Sequence, residues 1–230
     1  MKQSMLIVLS FIVISCSPKE EWTPLFNGED LDGWHIYLKG KENYNGWYVD
    51  SGVLAFDPAG RTVISNADLV TDQRFTNFEL SIEWMISEKG NSGIFWGVKE
   101  DTSYQHTYET GPEIQVLDDN WTEYIEERGD IQRAGSVFNI IAPSRIASKP
   151  AGEWNHYLIH IDHIKNEGFV LFNRVEIMRF PVNGPEWEEL ISNSGFKNMP
   201  GFGKEKTGHI ALQDHGNQVA YRNIRIRKLM

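Results

Sequence analysis

Residues 90–119 read GNSGIFWGVKEDTSYQHTYETGPEIQVLDD, and this stretch decides the fold of the chain. It predicts two β-strands, Ser92–Val98 and Pro112–Leu117, joined by a polar loop that is rich in aromatic residues. In the second strand the polar Glu113 and Gln115 alternate with two aliphatic residues, so a period of two places both polar side chains on one face of the sheet. Such a strand fits the floor of a binding cleft, although a half-exposed strand whose polar face meets only water has the same pattern.

Short strands with similar alternation recur along the rest of the chain. Phe75–Ser87 is the clearest of them, with Glu83 on its polar face, and Trp154–Asp162 alternates in the same way. Ala134–Ile141 is a further strand candidate, whereas Gly184–Asn193 is the one segment with helical spacing of its apolar residues. Many short strands with almost no helix predict an all-β sandwich, and no interior linker divides it, so we expect one domain.

Composition and charge limit the possible functions. The chain has 230 residues, 40% of them hydrophobic, which is enough for one sizeable core. Its formal net charge of −10 argues against a nucleic-acid partner, because phosphate binding needs a basic face. Its single cysteine, Cys16, rules out an intramolecular disulfide framework.

The N-terminus has the pattern of an export signal. The apolar run Met5–Ile14 is too short to span a bilayer and suits the hydrophobic part of a signal peptide. It ends in Val13-Ile14-Ser15-Cys16, which resembles the lipobox of bacterial lipoproteins; an ordinary signal peptide with an incidental cysteine is the alternative. We therefore predict a signal peptide at residues 1–15 and a lipidated tether at residues 16–22. The lipid on Cys16 would anchor the protein to a membrane of the cell envelope, on the periplasmic face or at the cell surface.

Seven short motifs follow in order along the rest of the chain. They are Leu25–Trp34 (LFNGEDLDGW), Asn91–Phe95 (NSGIF), Gly111–Asp118 (GPEIQVLD), Ala134–Ser136 (AGS), Lys149–Asn155 (KPAGEWN), Gly208–Gly216 (GHIALQDHG) and Arg222–Ile224 (RNI). Each motif is weak alone, but together they span nearly the whole mature chain. The combination resembles the 3-keto-disaccharide hydrolase family of bacterial lipoproteins.

The resemblance implies a fold and a substrate class. It implies that residues 23–230 form a concanavalin A-like jelly-roll sandwich of two antiparallel sheets, one of them concave. It also implies action on glycosides whose sugar was oxidised at C3, because family members are described as hydrolases or lyases of 3-keto-glycosides. The chain departs from the family at Arg174, where a glycine is common in the late hairpin turn, and this departure affects turn shape more than chemistry.

In a jelly roll the polar faces of several strands combine on the concave sheet, and this combination predicts the site. The expected catalytic groups are Glu113, His215 and Glu83. The expected substrate contacts are Gln115, Asn91, Asp118, Gln213, Asp214, Tyr104 and His156. Tyr108 and Trp121 are further candidates for stacking on a sugar ring, whereas Trp96 shares the phase of core residues. Carboxylates, amides and imidazoles are the groups that bind sugar hydroxyls and transfer protons.

A ketone at C3 would change the chemistry of glycoside cleavage. It makes the C2–H bond acidic, so a base can form an enolate and the group at C1 can leave by β-elimination, after which water adds. We predict Glu113 or His215 as the base and the other as the acid. Gln115 and Asn91 would contact the sugar or the enolate oxygen, and Glu83 would orient a catalytic group or act alongside it.

Two other functions fit the same sequence. A conventional glycoside hydrolase would use a carboxylate pair such as Glu83 and Glu113, whose separation would set the stereochemical outcome. A non-catalytic carbohydrate-binding lipoprotein would use the same scaffold. No cofactor is evident, although a divalent metal ion could bind to acidic side chains. Its candidate ligands are Asp118, Asp119, Asp130 and His106.

Overall fold

The computed structural model describes residues 21–62 and 67–230. The predicted signal peptide, Cys16 and most of the predicted tether lie outside the described residues. Among the described residues, no helix is both long enough and apolar enough to cross a membrane. Every described strand lies between Thr23 and Lys228.

The described residues form thirteen β-strands and two α-helices. The strands are β1 Thr23–Pro24, β2 Trp34–Ile36, β3 Trp47–Asp50, β4 Val53–Phe56, β5 Leu69–Phe75, β6 Phe78–Ile86, β7 Asn91–Val98, β8 Glu113–Leu117, β9 Asn155–Asp162, β10 Glu167–Phe172, β11 Val175–Phe180, β12 Gly208–Leu212 and β13 Val219–Lys228. The helices are α1 Thr122–Arg128 and α2 Gly184–Ser192, and single 3-10 turns lie at Pro58–Gly60, Thr107–Glu109 and Asp130–Gln132. The helix predicted near residue 184 is confirmed.

The strands assemble into two antiparallel sheets. The eight-stranded sheet has the order β11-β10-β9-β6-β13-β4-β3, with β1 paired to β13, and the five-stranded sheet has the order β2-β5-β12-β7-β8. Several neighbours, such as β6 with β13 and β5 with β12, are far apart in the sequence, so long-range pairing builds the sandwich. The predicted sandwich of two antiparallel sheets is confirmed.

The hydrophobic core lies between the two sheets. On β6 the apolar residues alternate as predicted, and Leu80, Ile82 and Trp84 are each no more than 1% exposed. The Trp84 ring contacts Tyr157 of β9 and Phe172 of β10, with ring centroids 5.3 and 5.7 Å away. Burial of each such side chain contributes about 2 kcal/mol, so this aromatic group is a main stabilising element of the sandwich.

The outer face of the five-stranded sheet carries one row of side chains from edge to edge. Directly paired residues project from the same face, and the pairings run from Glu113 on β8 through Phe95, Ala211 and Val70 to His35 on β2. The middle of this row is a small apolar cluster, which chain segments near residues 37 and 108 help to cover. The β8 end of the face opens into a cleft.

Residues 134–141 do not form the predicted strand. Single bridges at Val137 replace it. Gly135 has a φ angle of 82°, and a left-handed residue of this kind interrupts an extended conformation. The Phe138 N–H donates to the backbone carbonyl of Glu113 at 3.0 Å, so the segment lies along β8 as a folded loop.

Candidate active site

Glu113 lies at the open end of the five-stranded sheet, and a glycine makes room for it. Its side chain crosses the backbone of Gly93 on the neighbouring strand β7. A β-carbon on Gly93 would overlap the Glu113 carboxyl group, so this arrangement requires glycine. The glycine of the NSGIF motif therefore lets the Glu113 side chain lie flat against the sheet.

The Glu113 carboxyl group is buried and unpaired. The residue is 6% exposed, and its carboxyl group has no hydrogen bond or ion pair with any described residue. Burial, and to a smaller degree the nearby Asp68 carboxyl group, raises the pKa of Glu113 well above its usual 4.5. A carboxyl group in this state is a strong candidate for proton transfer.

A cavity of about 280 Å³ opens beside Glu113. Its polar wall consists of Asn91, Glu113, Gln115, Gln213 and His215. Its apolar wall consists of Tyr108, Tyr124, Phe138, Phe196 and Met199. One polar and one aromatic wall suit a sugar ring, which has hydroxyl groups at its edge and C–H bonds on its face. Five residues predicted for the site thus lie together here.

The amide side chains of the polar wall leave groups free for a ligand. The Gln115 Oε1 accepts a hydrogen bond from the Val116 N–H at 3.1 Å, which leaves the amide NH₂ group of Gln115 as a donor. Asn91 and Gln213 each bury a side-chain carbonyl oxygen that has no hydrogen-bond partner among the described residues. A buried carbonyl oxygen without a hydrogen-bond donor destabilises the folded protein until a ligand or a water molecule supplies the donor.

His215 forms the rim of the cavity. The residue is exposed, but partial burial of its ring lowers the pKa of His215 below its usual 6.5, against the opposing effects of a hydrogen bond with Asn217 and the charge of Asp214. Its Nε2 atom lies 3.5 Å from Nδ2 of Asn91. The imidazole is therefore neutral at pH 7, and a neutral imidazole can accept a proton.

Asp214 precedes His215 in the loop after β12 and does not itself line the cavity. Its buried carboxylate pairs with the Arg61 guanidinium. It also accepts hydrogen bonds from the backbone N–H groups of Ala67 at 3.2 Å and Gly216 at 3.0 Å. These bonds fix the position of the loop that carries His215, so Asp214 has a supporting place rather than the predicted contact with substrate.

Asp68 is a second buried carboxyl group near Glu113. Its oxygens accept hydrogen bonds from the Thr107 hydroxyl and from the Asp214 N–H, the latter at 2.9 Å. Burial nevertheless raises the pKa of Asp68 from 3.8 to about 6. Asp68 was not predicted as a site residue, because an isolated aspartate between short extended segments carries no periodic signal.

Glu83 and His156 do not belong to this cavity, and the prediction that they share a cleft with Glu113 is wrong. Both lie on the outer face of the eight-stranded sheet. Burial alone would raise the pKa of Glu83, but hydrogen bonds from Asn223 at 2.9 Å and Arg222 at 2.7 Å hold it below 4.5. Alternation assigns a side chain to one face of its strand but does not say which sheet the strand joins.

Two other predicted contacts also lie outside the cavity. Asp118 accepts hydrogen bonds from the N–H groups of Lys89 at 2.9 Å and Asn120 at 3.0 Å, so it fixes a turn. Tyr104 packs against Gly201. The residues considered as candidate metal ligands do not form a site either: within residues 21–62 and 67–230, no three His, Cys, Asp or Glu side chains are grouped so that they could hold a metal ion.

The aromatic wall comes mostly from segments without strand alternation. Tyr108, a predicted stacking residue, lines the cavity, whereas Trp96 is 5% exposed in the core as expected. Trp121 packs against Tyr124 of α1, with ring centroids 4.8 Å apart, and it is Tyr124 that reaches the cavity. Phe196 comes from the loop after α2. Irregular and helical segments carry no period of two, so the rings of Tyr124, Phe138 and Phe196 were not predicted.

Similarity to known proteins extends over almost the whole described chain. A family model described as a 3-keto-alpha-glucoside-1,2-lyase-like domain matches residues 21–227. The chain belongs to this family. It is also 30% identical to a 3-keto-disaccharide hydrolase of Bacteroides thetaiotaomicron, over 89% of this chain and 77% of that protein. The family resemblance of the seven motifs is therefore confirmed.

Solved structures place this 3-keto-alpha-glucoside-1,2-lyase-like domain among jelly-roll proteins. A putative glycosyl hydrolase from Parabacteroides distasonis superposes with a TM-score of 0.82 at 30% identity, covering 91% of this chain and 94% of that chain. A galectin-like protein from Bacillus subtilis matches with a TM-score of 0.54 at 12% identity, covering 91% of this chain and 97% of that chain. The second likeness concerns the fold alone.

Proposed function

We propose that this protein is a carbohydrate-active enzyme that cleaves glycosides whose sugar ring carries a ketone at C3, by β-elimination followed by addition of water. Family membership supports the substrate class. The observation that carries the mechanism is the buried, unpaired Glu113 carboxyl group with a raised pKa, in the same cavity as the neutral His215 imidazole. An acid and a base whose pKa values move in opposite directions suit a proton-transfer reaction.

The reaction begins at the carbon next to the ketone. His215 takes the C2 proton, and the electron pair of the C–H bond moves toward the C3 oxygen to form an enolate. The amide groups of Gln115 and Asn91 line the same wall and donate hydrogen bonds to the developing negative charge. The aromatic wall holds the face of the sugar ring against this polar wall.

Glu113 completes the elimination. Its raised pKa keeps it protonated, so it donates its proton to the glycosidic oxygen as the C1–O bond breaks. The enolate electrons form a C1=C2 double bond, and the alcohol leaves. The ionised Glu113 then takes a proton from water, whose oxygen adds to C1, while the His215 imidazolium, whose N–H proton exchanges with solvent, gives a proton to C2. The net change is hydrolysis, and both side chains return to their starting states.

The carboxylate-pair mechanism of a conventional glycoside hydrolase fits this cavity less well. Among the residues that the structure describes, Glu113 is the single acidic side chain in the cavity wall. Glu83 lies on the other sheet, and Asp68 is engaged by Thr107 and Asp214. A carboxylate pair would need a second acid on the cavity wall.

Parallel incubation of a 3-keto-glucoside and its unoxidised parent glucoside tests the proposed function. We expect release of the alcohol from the keto substrate and none from the parent. Each arm is run with and without a chelator, which registers any metal requirement. Cleavage of the parent at an equal rate would contradict elimination. Binding of the keto sugar without turnover would instead indicate a non-catalytic carbohydrate-binding protein.

We also propose that Cys16 carries a lipid that holds the protein at the cell envelope. The support is the lipobox-like sequence at residues 13–16. Expression of the full chain in bacteria fed an alkyne-tagged palmitate should label the wild type and recover it with membranes, whereas Cys16→Ser should remain unlabelled. Recovery of unlabelled wild-type protein in a soluble fraction would overturn this proposal.

A further inference from the structure

A second recess lies on the outer face of the eight-stranded sheet, across the sandwich from the active-site cavity. We call it the basic groove. It has a volume of about 750 Å³. Its lining residues include Trp22, Lys149, Trp154, Arg174, Arg222 and Arg225. A recess of this volume is within the usual range of ligand sites.

The charge of the basic groove is opposite to that of the whole chain. Four basic side chains line it, and the single acidic side chain in its lining is Glu83, which Arg222 already neutralises. Arg174 and Arg225 have no carboxylate partner among the described residues. The chain as a whole carries a formal net charge of −10, so this local excess of positive charge is a distinct feature of the surface.

Arg174 holds a backbone conformation that favours glycine. It occupies the turn between β10 and β11 with a φ angle of 72°, and the preceding Asn173 has a φ angle of 47°. Asparagine adopts this left-handed region readily, but arginine does so at a cost that glycine would avoid. The Arg174 side chain lines the recess in spite of this backbone cost.

The walls and floor of the groove suit a sugar chain. The Arg222 guanidinium lies 3.9 Å from the centroid of the Trp154 ring, which holds both groups in place. On the floor, His156 Nε2 is 2.9 Å from the Ser81 hydroxyl. Burial lowers the pKa of His156, so it adds a neutral polar group and not a charge. Aromatic rings and fixed polar groups are the common elements of saccharide sites.

We propose that the basic groove binds an anionic saccharide, one that carries carboxylate or sulfate groups. Arg174 and Arg225 would pair with the anionic groups, since guanidinium matches the geometry of both. A membrane surface is the less favoured occupant, because a flat layer of headgroups cannot fill a recess with aromatic walls. This site is separate from the active-site cavity and does not depend on the proposed reaction.

Titration calorimetry on the chain from residue 21 to 230, which contains every described strand, tests this proposal. The probes are tetragalacturonate, a chondroitin sulfate tetrasaccharide, neutral maltotetraose and phosphatidylglycerol vesicles. We expect binding of at least one anionic tetrasaccharide, weakened by salt, and none of maltotetraose. Arg174→Gly relieves the backbone and should weaken binding about tenfold, because a charged hydrogen bond is lost.

Arg179→Gln is the matched control. It removes the same charge from the exposed surface of β11 on the same sheet, where Arg179 pairs with Glu167 and Glu176 outside the groove. We expect it to leave saccharide affinity unchanged, and we expect Arg174→Gly to retain turnover of a 3-keto-glucoside. Equal weakening by both variants would overturn the proposal, as would binding of the vesicles alone or of no probe at all.

Discussion

Glu113 and Glu83 have similar settings in the sequence but opposite settings in the fold. Each alternates with apolar residues on a β-strand. Glu113 lies unpaired in the active-site cavity on one sheet, and its pKa is raised. Glu83 lies in the basic groove on the other sheet, paired with Arg222, and its pKa is lowered. The neighbours of a carboxyl group, and not its strand pattern, decide whether it can exchange a proton near neutral pH.

The two recesses therefore have different chemistry. The active-site cavity has amides, one unpaired acid and a neutral imidazole, which can move protons without holding a fixed charge. The basic groove has guanidinium and ammonium groups, which suit binding of an anion and not proton transfer. Substitutions that alter one recess and leave the other unchanged test this difference in chemistry.

The largest expected effect comes from comparing the two glutamates directly. Glu113→Gln removes the proton donor and should lower kcat for a 3-keto-glucoside by about 10²–10⁴-fold, the usual contribution of general acid catalysis. Glu83→Gln should change kcat by less than about threefold, because it makes the same side-chain replacement on a surface that does not touch the cavity. Steady-state kinetics on both purified variants measure the difference. Equal losses in both variants would show that the division between the recesses is wrong.

The next effect concerns His215 and pH. A base must be neutral, so activity should fall as pH drops through the pKa of His215, which lies below 6.5. His215→Gln should lose about 10²-fold in kcat, and its residual activity should lack this acidic limb. The profile of kcat/KM between pH 4.5 and 8 gives the result. An unchanged acidic limb in the variant would assign the base to another group.

A smaller effect concerns stability near the cavity. The pKa of Asp68 is raised from 3.8 to about 6, so the unfolded chain releases this proton first as pH rises. Asp68 should therefore lower the free energy of unfolding by about 3 kcal/mol between pH 3.8 and 6, in addition to the loss from Glu113, whose pKa is also raised. Asp68→Asn should remove this loss and be more stable than the wild type at pH 8. Urea unfolding at pH 4.5 and 8 provides the measurement.

Glu83→Gln is the comparison variant for this stability test. The pKa of Glu83 is lowered in the folded state, so its contribution has the opposite sign: it is present above the unfolded pKa and is lost as pH falls through the folded pKa. Its size is small, because the group is partly exposed. If Asp68→Asn kept the wild-type dependence on pH, the buried carboxyl group would not be the cause.

The smallest effect belongs to the basic groove. Arg174→Gly should raise the free energy of unfolding by about 1 kcal/mol, because glycine adopts the left-handed turn without strain. Differential scanning calorimetry should record a rise in Tm of about 2–4 °C for a domain of this size. Asn173→Gly is the control, and it should gain less, since asparagine tolerates this region. A lower Tm for Arg174→Gly would show that the side chain stabilises the fold.

Much of the sandwich was predictable because strands with one buried face have a period of two. The alternation on β6 and β8 predicted the core faces correctly, and it predicted that Glu113 and Gln115 share a polar face. Asn91 and His215 were expected near them, and the fold brings them to the same cavity. Their chemical roles stay predictions.

The rest was not predictable for physical reasons that differ by residue. The sheet that Glu83 joins depends on pairing between β6 and β13, which are far apart in the sequence. Phe138 and Phe196 reach the cavity from loops, where the path follows from turns and not from a repeating pattern. The strand expected at residues 134–141 does not form, because the left-handed conformation of Gly135 turns the chain. The local alternation of polar and apolar residues determines which face of a strand a side chain occupies. Pairing between strands that are distant in the sequence determines which side chains meet in one site.

One measurement tests the central claim most directly: cleavage of a 3-keto-glucoside in D₂O, followed by NMR at C2 of the sugar product. The elimination mechanism predicts deuterium at C2 at the rate of turnover, because the proton removed by His215 is replaced from solvent. The free product in D₂O without enzyme supplies the rate of spontaneous exchange. A product that keeps its original C2 proton through turnover would contradict elimination and, with it, the roles assigned to Glu113 and His215.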